Sequence, residues 1–532
     1  MLPRRRLLLA ATSAFGATLA APRLATGQVA QRTLKFVPQS DLGVLDPVWS
    51  AAYVTRNHGL MVFDTLYGMD ADYRIHPQMA AGHTVSDDGL TWTIALREGL
   101  LWHDGPPVLA RDCVASIKRW GVRDGIGQAL MAATEELSAP DDRTLRFRLK
   151  RRFPLLAYAL GKPGSPVCVM MPERLAATDP HRQVGEMIGS GPFRFRPGDR
   201  IAGARVAYER NPAYVPRPDG VPSFTAGPKH VHFDRVEWHV LPDPSTAAAA
   251  LRQGEVDWWE APTFDLLPPL QRDRRITLMV PDPLGFLGCM RFNQLHPPFD
   301  NPAVRRAILP ALSQADFMQA VVGEPRDGWR DGIGIFPPGT AMASDAGMEA
   351  LTAPRDLARA RAALAAAGYR GERVVLLSPS DFPNLKALAD VGADLLRKVG
   401  FAVDYQATDW STMLQRLAST EPVEGGGWSM FHTYWSGLDQ MNPGVHAFLR
   451  GNGRAAPSRG APVSPRLEAL REEWLAAEEP DQPRIAAEMQ RVAFEDLPYL
   501  PLGQILPRTA FRREITDVLT GYAIFWNLRR AA

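Results

Sequence analysis

The stretch VVLLSPSDFPNLKALADVGADLLRKVGFAVDY (residues 374–405) decides the fold class. It begins with a continuous apolar run at 374–377, which is typical of a strand buried on both faces. A helix follows, and its apolar residues share one face: Leu388, Val391, Leu395 and Val399. Gly400 stands where this helix should end, and residues 401–405 resume a strand. A strand, a helix and a strand in this order predict a right-handed crossover between parallel strands, and therefore an α/β fold.

Other segments alternate apolar and polar residues, as strands with one buried face do. The clearest examples are Trp92, Ile94 and Leu96, and Leu145, Phe147 and Leu149. Two amphipathic helices are predicted at about 464–478 and 483–496. These patterns indicate a mixed α/β protein built as packed lobes.

Length and composition agree with a large globular protein. The chain has 532 residues, so two or more domains are expected. It is 45% hydrophobic and 22% charged, values that exclude a disordered or fibrous chain. The net charge is +2, and the basic surplus comes from the four Arg of the first 30 residues, which contain no acid. Because the rest of the chain is nearly neutral, we expect no nucleic-acid partner.

The first 30 residues have the pattern of an export signal. Arg4, Arg5 and Arg6 precede an apolar stretch from about 7 to 21, which is too short to span a bilayer. The order Arg-Arg-x-Leu-Leu resembles a twin-arginine signal, although a general secretory route stays open. We therefore expect a periplasmic protein. No Cys lies near the cleavage zone, so no lipid anchor is expected there.

The chain has three widely separated cysteines: Cys113, Cys168 and Cys289. They form no CxxC motif, and at most one disulfide is possible. We expect them to be buried as small apolar residues, while the spacing leaves one bridge open.

The sequence lacks the common catalytic signatures, GxSxG, HExxH and the Walker motif, so no catalytic residue, cofactor or enzyme activity is predicted. His230 and His232 would lie on one strand face, where two imidazoles suit a metal. No third ligand stands nearby in the sequence, so no metal site is predicted. By contrast, aromatic residues and one carboxylate, Asp439, cluster at 428–439 behind the glycines 425–427. Such a cluster suits either a ligand cleft or a packed core.

Several motifs then occur in the order in which one protein family carries them. The strongest is WTIALREGLLWHDGPP (residues 92–107), which matches a strand followed by the family pattern LRxGVxFHDGxP. The further matches are Leu45-Asp46-Pro47, and the segments 189–193, 210–214, 254–257, 297–306, 362–369 and 498–502. The chain thus resembles, from about residue 33 to 515, the periplasmic solute-binding proteins of peptide- and nickel-type ABC importers (extracellular family 5, cluster C).

The resemblance implies a two-lobed periplasmic binding protein of type II with an additional inserted domain. We expect lobe I to comprise residues 31–77 and 189–285, and the inserted domain to comprise 78–188. Lobe II is then expected at 286–498, with 499–532 returning to lobe I. The resemblance also implies a solute enclosed between closing lobes, delivery to a membrane permease and its ATPase, and a monomeric protein.

In peptide-binding relatives, an Asp four residues before a Pro pairs with the α-amino group of the ligand. Asp439 stands four residues before Pro443, so the resemblance implies that Asp439 is the anchor. The other predicted ligand contacts are Tyr434, Trp435, Gly437 and Leu45.

Two alternatives stay open for this segment. Asn442 stands where peptide-binding relatives have an acid, so the solute could be a peptide, an amino-acid derivative or a related amphipathic compound. Asp439 could also simply cap a turn at Asn442-Pro443. The rival functions are a secreted hydrolase that uses cleft carboxylates, and a binder of a chelated metal such as nickel.

Overall fold

The computed structural model describes residues 32–324, 326–456 and 459–531. The predicted export signal at 1–30 lies outside these residues. Three sheets organise the described chain, and helices pack between and around them. The mixed α/β class predicted from the sequence is confirmed.

The first sheet has seven strands and draws on both ends of the chain. Its order is Phe193–Phe195, Arg205–Arg210, Arg235–His239, Thr33–Val37, Trp258–Trp259, Thr509–Arg512 and Ile276–Met279. Thr33–Val37 pairs in parallel with both of its neighbours. The helix Pro244–Gln253 packs against this sheet; Asp243 caps its N-terminus, and Gly254 ends it in a left-handed conformation.

The second sheet has six strands and contains the predicted crossover. Its order is Trp329–Arg330, Tyr499–Ile505, Phe286–Phe292, Met430–Ser436, Arg373–Pro379 and Ala402–Thr408. Arg373–Pro379 and Ala402–Thr408 are parallel, and the helix Pro383–Val399 connects them. Leu388, Leu395 and Val399 are buried on the inner face of this helix, so the crossover prediction is confirmed.

The third sheet is a four-stranded antiparallel sheet in the order Ala80–Val85, Thr91–Leu96, Thr144–Leu149 and Thr134–Asp141. The apolar residues predicted to alternate in two of these strands are all buried. The helices Ala110–Arg123 and Gly125–Ala133 contact this sheet and supply much of its hydrophobic core.

The remaining elements are shorter or lie outside the sheets. The helices are Tyr53–Val62, Leu156–Gly161, Glu173–Ala176, Leu267–Arg272, Pro302–Arg306, Gln314–Val322, Glu349–Thr352, Leu357–Ala366, Trp410–Arg416, Pro465–Ala476 and Gln482–Asp496. Three two-stranded pairs are Asp64–Thr65 with Val169–Met170, Tyr67–Met69 with Ile75–Pro77, and Ile515–Thr516 with Arg529–Arg530. The two helices predicted near 464–496 are therefore present.

The chain crosses between the seven-stranded and six-stranded sheets at 280–285 and again at 506–508. The second crossing comes later than the boundary expected at 499. The segment Tyr499–Ile505 is still a strand of the six-stranded sheet, where it pairs with Phe286–Phe292. Its residues are all buried, so hydrophobic packing keeps it in this lobe.

Cys113, Cys168 and Cys289 are buried, as expected, and all three are free, so the one bridge that their spacing leaves open is not formed. No helix in the described ranges is both long and apolar enough to cross a bilayer.

Candidate functional site

A cavity of about 270 Å³ lies where the six-stranded lobe meets the N-terminal half of the chain. On one side it is lined by Trp49, by Arg123 to Ile126, and by Lys162, Ser165 and Pro166. On the other it is lined by Trp435, Asp439, Gly444 to Ala447, Arg450 and Arg471. Both halves of the chain therefore supply its walls, as an interlobe ligand site requires.

Asp439 lies in this cavity, in the short 3-10 turn Gly437–Asp439 that follows the strand Met430–Ser436. The residue is only 8% exposed. Burial raises the pKa of its carboxyl group, while Arg56, Lys162, the Tyr53 hydroxyl and the Ser165 N–H partly oppose that rise. A buried carboxylate that faces a cavity is suited to bind a cationic group that enters it.

The loop that faces Asp439 is held by Lys162. The Lys162 ammonium group forms a buried ion pair with Asp124 at 2.9 Å, and it also donates to the carbonyls of Gly164 at 2.7 Å and Pro166 at 3.0 Å. Asp124 in turn caps the helix Gly125–Ala133. Breaking such a buried pair typically costs about 3–5 kcal/mol. Lys162 therefore has its three donors engaged and positions the loop.

Gly164 brings this loop into close contact with the opposite lobe. A Cβ added at Gly164 would overlap Oδ1 of Asp439. The loop that carries Gly164 is thus in contact with the six-stranded lobe at the predicted anchor, and this contact requires a residue without a side chain.

The cavity carries more basic than acidic groups. Arg471 is 4% exposed and donates to the carbonyl of Pro443 at 3.3 Å; burial lowers its pKa to about 10. Arg450 pairs with Glu468 at 3.0 Å, and Arg123 donates to the Trp49 carbonyl at 3.0 Å. These three guanidinium groups can attract an anionic group, whereas Asp439 attracts a cationic one.

The structure brings together only part of the predicted ligand-contacting set. Trp435 and Asp439 line the cavity, and the Trp435 ring stacks on Phe448 at 4.6 Å between centroids. Tyr434 instead packs against Phe286 at 5.1 Å, because neighbouring residues of a strand point to opposite faces.

Two other predicted contacts also lie outside the cavity lining. A Cβ added at Gly437 would meet the carbonyl of Leu284, so its close backbone approach is to the chain crossing at 280–285 rather than to the cavity. Leu45 is partly buried and packs against the hydrophobic core. The basic groups at 123, 450 and 471 were not predicted. They are spread along the chain, and no local motif marks them.

Within residues 32–324, 326–456 and 459–531, no three His, Cys, Asp or Glu side chains are grouped so that they could hold a metal ion. His230 and His232 are both exposed.

Comparisons with known proteins agree with the fold. The family described as bacterial extracellular solute-binding proteins, family 5 (middle part), matches residues 74–455. A Sinorhizobium fredii protein described as a probable peptide ABC transporter periplasmic-binding protein is 36% identical over 99% of both chains. These matches are named for binding and transport rather than for catalysis.

Solved structures share the architecture. The periplasmic binding protein AgaA of A. tumefaciens R10, in complex with agropinic acid, aligns with a TM-score of 0.77 at 20% identity, covering 94% of this chain and 99% of its own. DppA of Helicobacter pylori, in complex with the peptide STSA, aligns with a TM-score of 0.76 at 20% identity, covering 96% and 100%. The predicted two-lobed α/β architecture is confirmed, and the chain belongs to the bacterial extracellular solute-binding proteins of family 5.

Proposed function

We propose that the protein encloses a small dipolar solute, such as a short peptide or an amino-acid derivative, between its two lobes. It then delivers the solute to a membrane permease that an ATPase drives. The observation that carries this proposal is one cavity that holds a buried carboxylate, Asp439, together with Arg123, Arg450 and Arg471. No bond is broken in this function. The solute favours the closed state through the contacts that only that state offers.

The division of the chain follows from the sheets. We assign lobe I to the seven-stranded sheet, with residues 32–77, 189–285 and the return at 506–531. The inserted domain comprises 78–188 and holds the four-stranded sheet, and lobe II comprises 286–505. We also propose that the protein acts as a monomer.

Blocking either charged end of a peptide is expected to weaken its binding. Acetylation removes the positive charge at the N-terminus of trialanine, and amidation removes the negative charge at its C-terminus. We expect each blocked form to bind at least tenfold more weakly, because one buried charge of the cavity then lacks a partner. Calorimetric titration of the three peptides measures this difference. Equal affinities for all three would contradict a dipolar solute.

We also propose that the protein reaches the periplasm through the twin-arginine route. Replacing both Arg4 and Arg5 by Lys is expected to abolish delivery, because that route reads the arginine pair rather than positive charge alone. Cell fractionation followed by immunoblotting measures the periplasmic fraction. Arg23→Lys is the matched control and should leave delivery unchanged. Normal delivery of the Arg4→Lys/Arg5→Lys variant would indicate the general secretory route, in which basic charge suffices.

A further inference from the structure

A second, smaller cavity of about 80 Å³ lies in the hinge between the lobes. Its walls include both chain crossings, with Pro281, Asp282 and Gly285 from the first and Pro507 from the second. Glu260 of the seven-stranded lobe also lines it. Because both crossings border this cavity, any group bound there contacts the segments that must bend when the lobes move.

Two carboxylates in this cavity have no basic partner. Glu260 accepts hydrogen bonds from the backbone N–H of Gln39 and from the amide of Asn57, both at 2.8 Å. Asp282 accepts one from the N–H of Leu284 at 2.9 Å. No Lys, Arg or His nitrogen of the described ranges lies within 4.0 Å of either carboxylate. Burial raises the pKa of both groups, that of Asp282 to about 7. The positive charge of Arg56 opposes this rise in part for both groups, so two carboxylates share one nearby positive charge.

One guanidinium group shares the cavity without pairing with these acids. Arg56 is 5% exposed, and its guanidinium carbon lies 3.0 Å from the centroid of the Tyr522 ring. Within the described part of the chain, its Nη1 has no hydrogen-bond partner, and neither has the hydroxyl of Tyr522, which is 7% exposed. Buried polar atoms without partners are costly. The Tyr522 hydroxyl can accept a hydrogen bond from an occupant of the cavity, whereas the Arg56 Nη1 can only donate one.

The hinge cavity adjoins the Asp439 cavity through Tyr53 and Ser436. Both residues line the hinge cavity, and the Tyr53 hydroxyl accepts a hydrogen bond from the Ser436 N–H at 2.9 Å. The same hydroxyl faces Asp439. In an α-amino compound the first side chain branches from the carbon that carries the amine. An amine held at Asp439 therefore places the carbon that bears this side chain close to Asp439, from where the side chain can reach past Tyr53 toward the hinge cavity.

We infer that the hinge cavity is a subsite for a cationic group, an ammonium or a guanidinium, at the end of the solute's first side chain. This inference rests on the proposed function and narrows it to basic solutes. The carboxylates of Glu260 and Asp282 would compensate the positive charge, and the Tyr522 hydroxyl would accept a hydrogen bond from it.

Two dipeptides test the subsite: lysyl-alanine, and norleucyl-alanine, which lacks only the side-chain ammonium group. Calorimetric titration of the full chain should show at least tenfold tighter binding of lysyl-alanine. The variant Glu260→Gln/Asp282→Asn keeps the shape and an acceptor oxygen at both positions, and it should lose this preference. Each single variant should reduce it, and these serve if the double variant fails to fold. The control Glu237→Gln changes a partly buried acid that lines neither cavity, and it should keep the preference.

The possible outcomes distinguish a failure of the proposed subsite from a failure of the proposed function. Equal binding of the two dipeptides by the unmodified protein would overturn the subsite and leave the proposed function standing. A preference for lysyl-alanine that survives in the folded Glu260→Gln/Asp282→Asn variant would also overturn the subsite and leave the proposed function standing. If neither dipeptide binds, the proposed peptide-type solute is wrong, and the subsite falls with it.

Discussion

Replacing Asp439 by Asn is expected to weaken solute binding by about two to three orders of magnitude. In the closed protein the amine of the solute and this carboxylate are both removed from water. Leaving one such charge unpaired costs about 3–5 kcal/mol, and about 1.4 kcal/mol corresponds to a factor of ten in affinity. Calorimetric titration with trialanine measures the change. The control Asp390→Asn removes a half-exposed acid on the helix Pro383–Val399 and should leave affinity unchanged.

The thermal stability of the Asp439→Asn variant distinguishes an anchor from a structural cap. The cap of the following turn is Asn442, whose side-chain oxygen accepts from the Gly444 N–H at 3.0 Å. Burial raises the pKa of Asp439, which means that the charged form destabilises the folded state. A neutral Asn should therefore leave the melting temperature unchanged or raise it. A lowered melting temperature together with unchanged affinity would show that Asp439 has a structural role only.

Replacing Gly164 by Leu is expected to weaken binding by about a hundredfold by preventing closure. A side chain at this position would occupy the space that the Asp439 carboxylate fills when the lobes are in contact. The apparent affinity falls in proportion to the population of the closed state, so a hundredfold smaller population gives a hundredfold weaker affinity. In small-angle scattering, the unmodified protein should contract on adding trialanine, whereas the variant should keep its larger radius of gyration.

Gly185→Leu is the matched control for this experiment. Gly185 is exposed, and an added Cβ there meets no atom within 4 Å. This variant should bind and contract like the unmodified protein. If Gly164→Leu also contracts with unchanged affinity, the contact between Gly164 and Asp439 does not limit closure.

The sequence predicts the fold well wherever the signal is local. The crossover at 373–408 is readable because helical spacing, a closing glycine and two apolar runs follow one another within a short segment. The strand Tyr499–Ile505 is hard to assign to a sheet from the sequence for the opposite reason. Its seven residues are all buried, but its sheet is decided by partners more than 200 residues earlier, at Phe286–Phe292. Local patterns carry no information about such a choice.

The sequence predicts only those site residues that lie within one motif. Asp439 and Trp435 lie close in sequence and line the same cavity. Tyr434 was included although strand alternation places it on the other face of the sheet. Arg123, Arg450 and Arg471 come from separate elements and meet only after the lobes pack. Only the tertiary structure brings them together.

Two strands near the C-terminal end of the described chain determine when the two large sheets can be completed. Tyr499–Ile505 fills an internal place in the six-stranded sheet, and Thr509–Arg512 fills an internal place in the seven-stranded sheet. A nascent chain that has not reached residue 512 therefore has an open slot in both sheets, with unpaired backbone edges exposed to other chains. Both large sheets therefore reach completion almost together, only once residues 499–512 have been made. Such long-range pairing is slow to form, so chains in which these two strands are not yet paired are expected to be prone to aggregation.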